Sequence, residues 1–133
     1  MSINIGNSID PFYRYQRPIS IVKIINGKTK IINLINIADA LQTKVIYILY
    51  FIQLEKSTSV TNTGEIKMIM AQSEIEILIN KFINLYIICS ECKLPELDIK
   101  QNNKKLYYCC RACGSSVNIL ENKFTKIIYK DHY

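Results

Sequence analysis

Apolar spacing changes character several times along this chain. Between residues 19 and 34 β-branched residues dominate, and Asn26-Gly27 interrupts them once. That pair tolerates positive φ at both positions. Ile19–Ile25 and Thr29–Leu34 therefore read as the two strands of a hairpin. Asn36 is suited to cap a short helix over Ile37–Leu41. Val45–Leu54 is apolar almost throughout and reads as a helix buried on most of its surface, with a strand as the alternative. Ser57–Gly64 is a polar turn region, and Glu65–Met70 reads as a strand. From Ser73 onward the apolar residues recur in steps of three and four. Ile75, Leu78, Ile79, Phe82, Ile83 and Tyr86 share one helix face, and Ser73 with Glu76 has the pattern of a capping box. The order β-β-α-α-β-α predicts an α+β fold over 19–86, a small mixed sheet with helices on one face. Residues 1–18 read as a polar tail, held extended around Pro11 and Pro18.

Beyond Ile87 the pattern changes again. Cys89 and Cys92 form one C-x-x-C knuckle, and Cys110 and Cys113 form a second. The spacer between them falls in the range of about 15–20 residues that marks a four-thiolate zinc site. Gly114 follows the second pair, where such a knuckle needs a backbone angle that glycine adopts cheaply. Strands over Asp98–Lys100, Leu106–Cys109 and Val117–Leu120, with a polar turn over Gln101–Lys104, complete the layout of a zinc ribbon over 87–133. Four thiolates leave no open coordination position, so the zinc reads as structural. Cys109 reads as a strand residue outside the metal set.

The hydrophobic share of 49% is enough for a real core in one domain plus a metal-stapled module. The cysteines lie mostly in close pairs and no secretory leader precedes them. This composition fits metal-bound thiolates in a reducing compartment, the cytoplasm, better than a disulfide framework. The longest apolar stretch, Val45–Ile52, is far below the roughly 18–20 residues of a membrane helix. A net charge of +6 favours a polyanionic partner such as RNA. Isoleucine, asparagine and lysine are all abundant, however. An AT-rich genome accounts for scattered lysines and weakens that inference.

Little else suggests self-contained catalysis. His132 is the single histidine and sits at the C-terminus, so no Ser-His-Asp or Cys-His arrangement can be built on it. No phosphate-cradling glycine loop is present. The tail cluster Phe12-Tyr13-Arg14-Tyr15-Gln16-Arg17 has two readings. In the plainer one, the aromatics pin the tail and the arginine stacks on them or meets a carboxylate. In the other, Arg14 is presented to a phosphate-bearing partner, a role that suits its planar, permanently charged fork.

These segments together resemble a known family. Ser8-Ile9-Asp10-Pro11-Phe12-Tyr13-Arg14-Tyr15, then Lys28-Thr29 through Asn33, then Ile37-Ala38-Asp39-Ala40-Leu41, then the two knuckles, are similar to the N-terminal part of the eukaryotic translation initiation factor 5 family. The ribbon and the preceding domain are shared with the beta subunit of initiation factor 2, and the F-Y-R-Y tail points to factor 5. The resemblance implies a fold like that of initiation factor 1, followed by the ribbon. It implies a GTPase-activating protein, not itself an enzyme, that acts on GTP-bound initiation factor 2 with initiator tRNA, the small ribosomal subunit and its rRNA. It implies a monomer outside that complex and no membrane. Arg14 matches the family's proposed arginine finger, and Lys28 matches a lysine that supports the activity.

Departures accompany the resemblance. The family's second supporting lysine falls in Tyr47–Phe51, where there is none, and Lys44 is the nearest. The Asn26-Gly27 turn is shorter than the family's glycine-rich loop, which faces codon and anticodon. The family's C-terminal helical-repeat domain is not within this sequence. The alternative reading is a non-catalytic module that contacts ribosome and initiator tRNA like the beta subunit, with Lys100, Lys104, Lys105 and Arg111 on RNA phosphates. An unrelated nucleic-acid ribbon is a third, weaker reading.

Overall fold

The computed structural model describes residues 2–5, 15–61, 64–89, 91–102 and 105–118. Phe12, Tyr13, Arg14, Lys104 and His132 lie outside the described residues. Ten elements follow in order: β1 (Ser2–Asn4), β2 (Gln16–Pro18), β3 (Val22–Ile25), β4 (Lys28–Ile31), α1 (Leu34–Leu41), α2 (Val45–Glu55), α3 (Gln72–Tyr86), β5 (Leu97–Asn102), β6 (Lys105–Cys110) and β7 (Ser116–Asn118). The α+β class agrees with the sequence reading, but the single mixed sheet does not. Among the described residues the strands form three small sheets, β1-β2, β3-β4 and β5-β6-β7, and every pair is antiparallel. Short connections explain this, because a parallel pair needs a crossover of a dozen or more residues.

The hairpin of β3 and β4 turns on Asn26 (φ 51°) and Gly27 (φ 75°), as the Asn-Gly signal required. Its inner face carries Thr29 and Ile31, both buried. The expected strand over Glu65–Met70 reduces to one bridge residue, Ile66, which pairs with Thr29 and with Val60. The Thr29 side chain replaces the ladder beyond it. Its hydroxyl donates to the Met68 carbonyl at 2.5 Å and accepts the Met70 N–H at 2.9 Å.

Helix α1 starts at Leu34, ahead of the expected Ile37, and Asn33 rather than Asn36 occupies its N-cap position. The earlier start places Leu34, Ile37, Ala38 and Leu41 on one buried face, the i, i+3, i+4, i+7 stripe of an amphipathic helix. Asn33 does not cap with its side chain. Its amide instead accepts from the Ile21 N–H at 2.9 Å and donates to the Ile19 carbonyl at 2.8 Å, joining the hairpin to the helix. Helix α2 resolves the helix-or-strand ambiguity and buries Tyr47, Ile48, Leu49, Phe51 and Ile52. It meets α1 at a bend of 105°. Among the described residues no single helix is long and apolar enough to cross a membrane.

Helix α3 buries all six residues of the expected apolar face. Phe51 of α2 packs edge-on against Phe82 and Tyr86 at centroid distances of 5.6 and 5.9 Å. The capping box does not form. Ala71 is the N-cap, no side chain caps the helix, and Ser73 lies in the first turn. Glu76 has another partner, the Arg17 guanidinium. The two carboxylate oxygens accept from Nη1 and Nη2 at 3.2 Å each, and Oε2 also accepts the Ser20 N–H at 3.2 Å. Asn80 accepts from Arg17 at 3.1 Å, and Gln72 donates to the Ser20 carbonyl at 2.6 Å. Gln72, Glu76 and Asn80 are one turn apart, so a polar stripe of α3 grips residues 17–20. Arg17 is 1% exposed. Strand β2 is further fixed by pairing with β1, and the Ile5 N–H donates to the Tyr15 carbonyl at 2.9 Å.

Candidate metal centre and functional residues

The first knuckle begins just after α3 ends at Tyr86. The chain folds back through Lys93, whose φ is 62°, and the Lys93 N–H donates to the Cys89 carbonyl while the Cys89 N–H donates to Leu94. The Glu91 N–H points at the Cys89 sulfur at 3.4 Å. The second knuckle closes in the same way. The Gly114 N–H donates to the Cys110 carbonyl, the Cys110 N–H donates to Ser115, and Gly114 sits at φ 74°. Strand pairing of Leu97 with Cys110, and the Arg111 N–H on the Glu96 carbonyl, bring the knuckles face to face. Leu97 also donates to Ile87, and Tyr108 stacks near Tyr86 at 6.3 Å, so the ribbon is seated against the end of α3.

The sulfurs of Cys89, Cys92, Cys110 and Cys113 all lie within 4.8 Å of one another. Cys89 and Cys113 are 3.8 Å apart, and Cys92 and Cys110 are 3.6 Å apart. Disulfide sulfurs sit at about 2.05 Å, so these are not bonded pairs. A tetrahedron with zinc–sulfur bonds of about 2.3 Å has edges of about 3.8 Å. The spacing and the all-thiolate donor set therefore fit a tetrahedral soft cation such as zinc, and these four residues could hold one. Cys109 stays out of the group, paired across the sheet with Asp98 and Ser116.

The thiols also perturb one another. The Ser115 hydroxyl, 3.5 Å from the Cys89 sulfur, leads the effects that lower the Cys89 thiol to about 6, against the opposing effect of burial. Ser115 also holds the Cys113 thiol below its ordinary value. At Cys92 the Leu94 N–H favours the thiolate, but desolvation and the neighbouring sulfurs of Cys110, Cys89 and Cys113 override it and push the thiol up to about 12. Without a cation, four adjacent sulfurs cannot all ionise. A coordinated metal deprotonates them outright.

The other expected residues do not converge on this centre. Lys28 lies on β4 opposite Ile25, half-buried. Lys44 sits over the Tyr47 ring at 5.3 Å. Arg111 faces Glu96 at 3.4 Å and Asp98 at 3.8 Å, so two carboxylates already engage the ribbon's arginine. The side chains of Lys100 and Lys105, like all of Lys104 and Arg14, lie outside the described residues. The sequence reading missed the Arg17–Glu76 pair. Its only local signal was an acidic residue at an expected buried helix boundary, and that signal had an obvious capping explanation.

Residues 6–116 match the sequence family described as a domain found in initiation factors 2B and 5. Eukaryotic translation initiation factor 5 of Saccharomyces cerevisiae is 33% identical over 145 positions, which cover 98% of this chain and 35% of that protein. The Mus musculus factor 5 is 33% identical over 126 positions, covering 86% of this chain and 29% of that protein. Eukaryotic translation initiation factor 2 subunit 2 of Dictyostelium discoideum is 27% identical over 110 positions, covering 80% of this chain and 35% of that protein. The chain thus spans about a third of the length of the curated relatives it matches. With a match that runs from residue 6 through both knuckles, the chain belongs to the family of the domain found in initiation factors 2B and 5.

Proposed function

We propose that this chain works in translation initiation as a factor 5-type activator of GTP hydrolysis by initiation factor 2, within a small-subunit complex carrying initiator tRNA. One observation carries the choice of factor 5 over the beta subunit of factor 2. Similarity to the yeast factor 5 extends over 98% of the chain at 33% identity, against 80% at 27% for the factor 2 subunit. In this reading residues 1–18 are the tail, 19–86 the body and 87–133 the ribbon.

Arg14 supplies its guanidinium to the nucleotide held by the partner GTPase. The planar fork neutralises charge that develops on the transferred phosphoryl group, an effect worth about 10³–10⁵ in rate where such a residue operates. Burial of Arg17 against Glu76 and Asn80 supports this assignment, because it removes the cluster's other arginine from consideration. Lys28 supports the activity as a point charge. Zinc held by Cys89, Cys92, Cys110 and Cys113 supplies a rigid cross-link and no reactive chemistry. The chain has no catalytic step of its own in this reading, and its place of work is the cytoplasm.

GTP hydrolysis by factor 2 in reconstituted initiation complexes tests the reading. Arg14→Ala should slow stimulated hydrolysis by about 10³ or more, and Arg14→Lys should not restore it, because a point charge does not replace the bidentate fork. Unchanged hydrolysis with Arg14→Ala refutes the finger. The non-catalytic alternative, in which the ribbon contacts RNA, loses support from Arg111, which faces Glu96 and Asp98.

A further inference from the structure

The outward face of the β3-β4 hairpin carries an unneutralised group of lysines. Lys23 pairs directly with Lys30 across the strands, and Lys28 pairs with Ile25. Cross-strand partners and alternate residues share a face, so Lys23, Lys28 and Lys30 project away from the side that buries Thr29 and Ile31. The antiparallel bridge of Thr29 with Ile66 brings Lys67 alongside Lys28. Lys23 and Lys67 are exposed, and Lys28 and Lys30 are half-buried. None of the four forms an ion pair among the described residues, whereas Lys56 and Lys81 on the helical side pair with Glu74 and Glu55. Glu65 occupies the register position beside Lys30, and it is the acidic residue of this face.

Like charges placed directly opposite each other in a sheet destabilise it. The Lys23–Lys30 pair therefore works against folding, and no ion pair among the described residues offsets it. We propose that this face is a docking surface for the phosphate backbone of RNA, formed by Lys23, Lys28, Lys30 and Lys67. The chemistry favours a polyphosphate over an acidic protein. Protein interfaces are depleted in lysine and centre on aromatic or aliphatic anchors, and here the hairpin's outward positions hold Ile25 and no aromatic residue. Hydrated point charges on extended stems suit sequence-independent contact with phosphates. The Asn26-Gly27 turn is too short to reach a partner on its own, so contact falls to the sheet face behind it. The assignment rests on the reading that the protein works on an RNA-containing complex. Its test measures RNA binding alone, so it fails or succeeds separately from GTPase activation.

The test is fluorescence anisotropy of a labelled oligouridylate of about 20 nucleotides with the full zinc-loaded chain, titrated with salt. Four lysine contacts to single-stranded RNA give a slope of log K against log salt of about −3. Lys23→Gln/Lys30→Gln should reduce the slope to about −1.4 and weaken binding at least tenfold at low salt, with an unchanged or higher Tm as the like-charge pair disappears. Lys67→Gln alone, outside the hairpin, should lower the slope in the same direction. The control Lys56→Gln/Lys81→Gln removes the same net charge and should leave binding within about twofold if the face is specific. Equal weakening by the control, or no weakening by Lys23→Gln/Lys30→Gln, overturns the proposal. Displacement of the RNA by polyglutamate at equal charge concentration also overturns it, in favour of an acidic protein partner.

Discussion

Removing the Glu76 carboxylate should destabilise this protein more than removing the arginine it holds. The Arg17 side chain is 0% exposed, while that of Glu76 is 19% exposed. Glu76→Ala therefore strands a fully desolvated cation, and breaking a buried pair from one side costs about 3–5 kcal/mol. Asn80 and the Pro18 carbonyl still accept from the guanidinium, at 3.1 and 3.0 Å, which places the expected loss near the lower end, about 3 kcal/mol. Arg17→Met leaves a carboxylate that reaches water and keeps the Ser20 N–H, so its cost should be about 1–2 kcal/mol. The double variant Arg17→Met/Glu76→Leu should be close to neutral, because well-packed apolar residues replace such pairs without penalty. Urea unfolding followed by far-UV circular dichroism at pH 7, with zinc present, gives the three values. The pH dependence has a definite sign. Burial alone would raise the Glu76 carboxyl, but the Arg17 and Ser20 hydrogen bonds and the Arg17 charge hold it below its ordinary 4.5. Its stabilising contribution is thus complete above about 4.5 and is lost as pH falls through the lower folded value. The gap between native protein and Glu76→Gln should close in that acid window. A Glu76→Ala loss under about 1 kcal/mol at pH 7, or a double variant worse than Glu76→Ala, would refute the reasoning.

Other substitutions probe the remaining structure. Cys110→Ser should release the metal and melt the ribbon, removing folding free energy on the order of 10 kcal/mol, while Cys109→Ser retains it; zinc stoichiometry of the two purified variants decides. Thr29→Val leaves the Met70 N–H and the Met68 carbonyl without their side-chain partner and should cost about 1–3 kcal/mol by thermal unfolding. Phe82→Ala removes the ring at the centre of the Phe51 and Tyr86 cluster and should cost about 3–5 kcal/mol by the same measurement.

Local patterns in the sequence were informative wherever one element decides its own conformation. The three- and four-residue spacing of Ile75 to Tyr86 foretold the buried face of α3, Asn26-Gly27 foretold the hairpin, and the paired cysteines foretold the sulfur group. What escaped were features set by distant partners. Strands β1 and β2 are three residues each, too short to show an alternation, and they exist because they pair with each other. Ser73 and Glu76 have a capping sequence, but Arg17, 59 residues away, claims the carboxylate because burial makes that charge the more demanding partner. The strand expected over Glu65–Met70 stops at Ile66 because the Thr29 hydroxyl satisfies the next backbone groups. The lysine face was hidden for a different reason. Scattered lysines look like codon bias until strand register places Lys23 opposite Lys30.

Helix ends ordinarily fray, but the last turn of α3 is held on both sides. The N–H groups of Ile87 and Ile88 both reach the Ile83 carbonyl, and the first sulfur ligand follows directly behind them. A chelator acting at the knuckles should therefore be felt upstream as faster amide exchange in Phe82–Ile88. Metal loss would thus loosen the aromatic core from its edge inward, rather than simply detaching a terminal appendage.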